Sequence, residues 1–193
     1  MKDGRDINQT VNDKISNSSN KTNSTIKNAI DPWYKDNLLK YEDDYIEDEV
    51  YCNEREFQNG VPLNGGTNIF DISYYKSHER TMQIFKPSLY CSKQNSFTKN
   101  TENGNGKLIY QVGLISVDEA VLAGNIWQSH SNSYLKNETL WWTMSPAMAT
   151  AASNYIFVIY NGIDSVNVNF SSASIGATGV RPSITLKYGT KVS

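Results

Sequence analysis

Long hydrophobic runs are missing from this 193-residue chain. None approaches the roughly 18 apolar residues of a membrane-spanning helix, so direct insertion by these residues is not expected. Histidine and cysteine are scarce, with two of each (His78, His130, Cys52, Cys91). None sits at metal-ligand spacing, which argues against a structural zinc site. Excess charge of either sign is absent too. The net charge is −2, and the pI is about 5.7, so nothing points to nucleic acid or anionic lipid. There is no Gly-x-Ser-x-Gly elbow, no phosphate loop and no dinucleotide fingerprint. No secretory leader follows Met1, since the next residues are Lys, Asp, Gly and Arg. That start fits a cytosolic protein or a chain cut after a signal or membrane anchor. The second is the expectation.

What is present divides the chain in two. The hydrophobic share of 38% and mean hydropathy of −0.53 are low for a chain folded throughout. Residues 1–24 are mostly Asn, Ser, Thr, Lys and Asp, which bury too little to offset ordering entropy. They read as a disordered or stalk-like tether. Sequons at Asn8, Asn17, Asn20 and Asn23 arise by chance in so Asn-rich a stretch. Residues 25–193 read as a single domain.

Within the domain, Ile26, Ile30, Trp33 or Tyr34, Leu38 and Tyr41 recur at helical spacing. Asp31-Pro32 looks like an N-cap followed by proline at the first helical position, predicting a short helix from Pro32 to Lys40. The acidic run Glu42–Glu49 lacks the spacing of a calcium loop and reads as a solvated surface. Residues 50–107 read as loop with short strands, among them Ile69-Phe70, Ile72–Tyr75 and Met82–Phe85. Lys107–Val112 is predicted as a strand. Ser116 and Glu119 form a capping box, and Gly124 stops the short helix between, packed through Val117, Val121 and Leu122. Leu140–Met144 is strand-like and ended by Ser145-Pro146. The segment 147–153 then joins it to the apolar run from Asn154.

That run predicts a strand buried on both faces. Asn161-Gly162 predicts a type I′ hairpin turn. On the return strand Val166, Val168 and Phe170 point one way, and Ser165, Asn167 and Asn169 the other. A last half-buried strand alternates Val180, Pro182, Ile184, Leu186 and Tyr188 with polar residues. Arg181 is expected to tie a loop or carboxylate inside the fold. Cys52 and Cys91 leave two readings open, a pair of buried thiols or a bridge. A bridge would close a loop of about 40 residues, worth about 4 kcal/mol, and is expected in an extracellular setting.

Chemistry tests poorly. Ser145, His130 and Asp164 make an unconvincing catalytic triad, because a nucleophile needs a base in hydrogen-bond reach. Asp118 and Glu119 are better explained by helix capping than as a glycosidase pair. Trp141 and Trp142 face opposite ways in a strand, so at least one is core, and Trp142 is the candidate for stacking on a ligand.

Three stretches carry a resemblance: Gly113–Glu119, Trp141–Pro146 and Gly179–Pro182. They resemble the bacterial form of the C-type-lectin-like fold. That form is shared by formylglycine-generating-enzyme-like domains and by the variable proteins of diversity-generating retroelements. The same stretches, with the upstream Ile30–Leu39 and the two cysteines, are similar to surface or pilin-associated proteins of gut Firmicutes, and the resemblance covers roughly residues 25–188. The resemblance implies an α+β domain: a small, twisted, mainly antiparallel sheet with two short helices and long loops. It implies no enzyme and no cofactor. The close cysteine pair of formylglycine-generating enzymes is lacking, and so are the calcium-binding sugar loops of animal lectins. The expected function is a non-enzymatic cell-surface binding or display module, anchored through a segment outside this chain. Its partner would be a protein or glycan. The expected ligand residues are Trp142, Thr150, Ser153, Asn154, Asn161, Asp164, Ser165, Asn167 and Asn169, whose short polar side chains resemble a diversified paratope. A structural domain on a pilus or surface fibre is the alternative.

Overall fold

A computed structural model describes residues 24–60, 72–92, 95–99, 107–125, 133, 135, 139–150, 154–161, 166–173 and 178–191. The domain is α+β, with few short helices and antiparallel sheets. The expected segments at 1–23 and at Ile69-Phe70 lie outside the described residues.

Helix α1 spans Thr25–Asn37, and Ser24 caps it by accepting from the Lys27 backbone N–H. It buries Lys27, Ile30, Asp31 and Tyr34, one face at helical spacing. The predicted start at Pro32 is corrected, because Asp31 is an ion-pair partner of Lys27 and not a cap. Pro32 sits inside the helix. It lacks the N–H that would reach the Asn28 carbonyl. Pro32 and Asn28 are both exposed, so water can satisfy that carbonyl.

A 3₁₀ turn, Leu39–Tyr41, leads into α2 (Glu42–Tyr45) and β1 (Ile46–Glu47). Here the solvated acidic surface holds only in part. Asp43, Asp44, Glu47 and Glu49 are exposed, but Glu42 is buried and pairs with Lys99. Asp48 accepts from the Lys99 backbone N–H at 2.6 Å.

Strand β2 (Tyr51–Cys52) pairs with β4 (Ser96–Phe97), and β1 pairs with β8 (Thr185–Leu186). Between β2 and β4 come β3 (Ser73–Tyr74), α3 (Lys76–His78) and a π turn, Glu79–Gln83. The predicted strand at Met82–Phe85 is therefore helical over its first half. Lys107–Val112 is not a strand either. Only Lys107 bridges, to Thr98, while Leu108 and Val112 turn into the core.

The capping box forms as read, starting α4 (Val117–Leu122). Gly124 follows at φ +97°, the left-handed conformation that ends a helix. Val117, Asp118 and Ala120 are the buried residues, while Leu122 is exposed.

The main sheet runs β3–β5–β6–β7, all antiparallel. β5 (Trp141–Ala149) does not stop at Ser145-Pro146. It continues through two register shifts flanking Pro146 and is buried throughout. A bulge frees a proline from the ladder hydrogen bond it cannot donate. Residues 147–149 of the expected polar segment are thus buried strand. β6 (Asn154–Asn161) buries Phe157, Val158 and Ile159, on both faces as predicted. Val158 joins Trp142, Met144, Tyr51, Phe97 and Leu114 on one side. Phe157 and Ile159 join Trp141, Val117, Ala120 and Val168 on the other. β7 (Val166–Ser172) returns with Asn161 opposite Val166. That register leaves four residues between the paired ends, so the two-residue turn centred on Asn161-Gly162 is corrected. The connection itself lies outside the described residues.

The C-terminal segment departs from the predicted strand. Only Thr185–Leu186 is β8, with single bridges from Ser183 to Gly113 and from Gly179 to Trp141. Val180, Leu186 and Tyr188 are exposed instead of half-buried. Gly113 has no substitute: a Cβ there would lie 2.3 Å from the Tyr51 ring. The Tyr51 hydroxyl donates toward the carbonyls of Gln111 and Ser183, locking the closure.

Candidate functional site

The capping box puts Asp118 in the first turn of α4, where it is buried. The π turn after α3 brings Arg80 to it. Arg80 Nε donates to Asp118 Oδ1 at 2.9 Å, and Nη2 donates to Oδ2 at 2.8 Å, a bidentate pair. Nη1 of the same guanidinium pairs with Glu54. The backbone N–H of Ser88 also donates to Asp118 Oδ1, at 2.8 Å. One cation therefore lies between two carboxylates from distant parts of the chain.

Burial raises the Glu54 carboxyl above its ordinary range, with Arg80 opposing. Burial also works against the Arg80 charge, but the hydrogen bonds and charge of Asp118 and Glu54 outweigh it and raise its pKa. The group is a floor of fixed charges in a partly dehydrated place.

Above this floor opens a cleft of about 460 Å³. Cys52 and Cys91 line its wall and are bridged, with Cα atoms 5.7 Å apart. Val50, Leu89 and Tyr90 line it while exposed, Leu89 and Tyr90 at 69% and 80%. Its lining also holds Glu49, Ser116, Glu119 and Ser145. The two serines are occupied. Ser145 Oγ is buried and accepts from the Val117 N–H. Ser116 accepts from the Glu119 N–H and donates to its carboxylate. His130 and Asp164, the other members of the triad considered from sequence, lie outside the described residues. Among the described residues no cluster of His, Cys, Asp and Glu could hold a metal ion.

Of the nine expected ligand residues, the six that are described are dispersed. Trp142 is 6% exposed in the core beside Tyr51, Phe97 and Leu114, with no ring face for a ligand. Its neighbour Trp141 is buried as well, under the Arg181 guanidinium at 5.3 Å. Arg181 Nη1 donates to the Leu135 carbonyl at 2.8 Å, the structural tie foreseen for it. Thr150 and Asn154 stand at one end of the β5–β6 hairpin, where Asn154 pairs with Ala149. Asn161 stands at the other end of β6, about 23 Å away at about 3.3 Å per residue. Asn167 lies opposite Tyr160, and Asn169 opposite Val158. Asn169 is half-buried, and its Oδ1 accepts from the Phe170 N–H at 2.7 Å. It shares its sheet face with Val158 and so with the first core cluster. Ser153, Asp164 and Ser165 lie outside the described residues. The strand lengths therefore separate Asn154 from Asn161 too widely for one small-molecule site.

Sequence reasoning missed Glu54 and Arg80, and it read Asp118 only as a capping residue. One signal was available. Glu54 stands two residues after Cys52, and Ser88 three before Cys91, so a bridge between the cysteines brings these segments together.

No protein-family model, curated protein or solved structure matches the chain.

Proposed function

We propose that this domain is a non-catalytic binding or display module of C-type-lectin-like type, working outside the cytoplasm at a cell surface. In this reading its ligand is a segment of another protein, taken into the cleft above Glu54, Arg80 and Asp118. The observation that carries the reading is the pairing of a charged, partly dehydrated floor with the exposed rim of Val50, Leu89 and Tyr90. Tyrosine is enriched at protein–protein interfaces and among the anchors that carry their binding energy, and Tyr90 stands exposed here. The disulfide supports the location, since bridges persist in oxidising compartments.

Charge narrows the ligand. Glu49, Glu54, Asp118 and Glu119 stand against Arg80 alone, one positive charge to four negative, a net of −3. A lysine or arginine flanked by apolar residues is complementary to such a lining. The same net negative charge disfavours an acidic ligand.

The test is a binding screen on peptide and glycan arrays with the intact protein and a Leu89→Ser/Tyr90→Ser double variant. Both side chains are exposed, so the variant should fold. Peptides with basic and apolar residues should bind the intact protein, and the variant should lose at least tenfold in affinity. Binding that survives in this variant but is lost on Asn154→Ala/Asn169→Ala would move the site to the hairpin and defeat the cleft reading.

A further inference from the structure

We infer that the Cys52–Cys91 disulfide is a latch on this cleft, opened by an external dithiol. The inference rests on the cleft reading only for its consequence. The latch itself follows from how the segment Ile84–Cys91 is held.

That segment contains no helix or strand. At its start, Ile84 and Lys86 donate backbone N–H groups to the carbonyls of Glu79 and Arg80. Just past its end, buried Asn95 fixes Ser92 through the Ser92 carbonyl and hydroxyl, and its own carbonyl accepts from the Asn53 N–H. Between these anchors two bonds hold the strap to the rest of the described residues. One is the Ser88 N–H to Asp118, and the other is the disulfide.

Apolar burial does not hold the strap in place. Ile84, Phe85, Leu89 and Tyr90 are all exposed. Phe85 sits at φ +51°, the one non-glycine residue with positive φ among the described residues, a conformation costly for a bulky side chain. The strap's path is thus imposed by its tethers. Its tightest tether faces solvent, because both half-buried cysteines line the cleft.

A thiolate of the dithiol attacks one cysteine sulfur, breaks the S–S bond and forms a mixed disulfide, expelling the other cysteine as a thiolate. The second thiol of the reagent then closes on the first. The reagent leaves as its own disulfide, and the protein gains two electrons and two protons as two thiols. Between its two anchors the Ser88 contact alone then holds the strap, the wall formed by Leu89, Tyr90 and Cys91 loosens, and ligand affinity falls. The sheet has no part in this, since β5 and β6 are held by their own ladder and by both core clusters.

The experiment treats the intact protein with dithiothreitol without denaturant. Cysteine alkylation is read by mass, chymotrypsin cleavage maps the strap, and hydrogen exchange follows β5 and β6. Alkylation of both cysteines, cleavage at Phe85, Leu89 or Tyr90 accelerated at least tenfold, and β5 and β6 that remain protected and exchange more slowly than the strap are expected. A Cys52→Ser/Cys91→Ser variant should show the same cleavage without reductant. Three outcomes overturn the latch: resistance of the folded protein to reduction, equal strap cleavage in both states, or loss of β5–β6 protection on reduction. None of these readouts uses a ligand, so they are separate from the rim-variant screen that judges the cleft.

Discussion

Arg80 is the residue on which the cleft depends. Its side chain is 21% exposed, and the carboxylates it joins, Glu54 and Asp118, are 16% and 5% exposed. Removing the cation leaves a buried carboxylate, Asp118, and a half-buried one, Glu54, facing each other, and breaking a buried pair typically costs about 3–5 kcal/mol. Arg80→Met should therefore lower unfolding free energy by roughly that amount, measured by urea denaturation. Asp118→Asn should cost less, because Arg80 keeps Glu54. Equal costs would mean that the bidentate pair, and not the central charge, holds the group.

His78 makes a second prediction at this scale. It is buried among Tyr74, Phe157 and Phe170, and its Nδ1 has no hydrogen-bond partner among the described residues. Burial lowers its pKa. The unfolded chain, with an ordinary histidine value of about 6.5, then takes up a proton before the folded one does. The stability from keeping His78 neutral is complete above about pH 6.5 and is lost as pH falls from there toward the folded value. The thermal midpoint should drop between pH 7 and 5, and it should drop less in His78→Phe. Parallel curves for the two proteins would show that His78 does not drive the change.

At the scale of elements, two prolines lie where local rules forbid them, and tertiary burial explains both. α1 runs through Pro32 because Ile30 and Tyr34 on either side are packed into one cluster with Ile46 and Val112. Proline inside a helix costs about 3 kcal/mol against alanine in model helices. Pro32→Ala restores the missing N–H on an exposed face and should stabilise the protein by about 1 kcal/mol or more, read as a rise in the urea midpoint. A fall would mean that the helix is built around a kink it needs. β5 runs through Pro146 because a bulge takes the proline out of register. The Pro146 carbonyl is then free to accept from Ser77 Oγ at 2.7 Å, which docks α3 on the sheet. Neither extension was readable from neighbours along the chain, since local propensity argues for a stop at each. The capping box at Ser116 was readable, because all its partners lie within four consecutive residues.

For the whole molecule, the bridge joins β2 to the strap across a sequence separation of 39. In the loop-entropy model such a closure contributes about 4 kcal/mol by constraining the unfolded chain. The Cys52→Ser/Cys91→Ser variant should lose roughly that much in equilibrium unfolding and still show a cooperative transition, because the two clusters packed against β5 and β6 do not contain the cysteines. A non-cooperative melt would show that the bridge holds the core as well as the strap.

The sequence by itself determined what depends on close neighbours or on composition. These are the α+β class, the capped helix and the apolar run of β6 buried on both faces. The two cysteines named the only possible bridge, and their spacing left its formation open. Tertiary structure decided what depends on distance. It carried α1 and β5 past their prolines, because buried partners outweigh a local penalty. It buried Trp142 and spread the expected ligand residues along a hairpin, because strand length separates residues that composition groups together. It also brought Glu54, Arg80 and Asp118 to one point. Ion pairs between residues dozens of positions apart have no signature in spacing, and only the packing of the π turn against α4 and the bridge beside Glu54 brings them within hydrogen-bond reach.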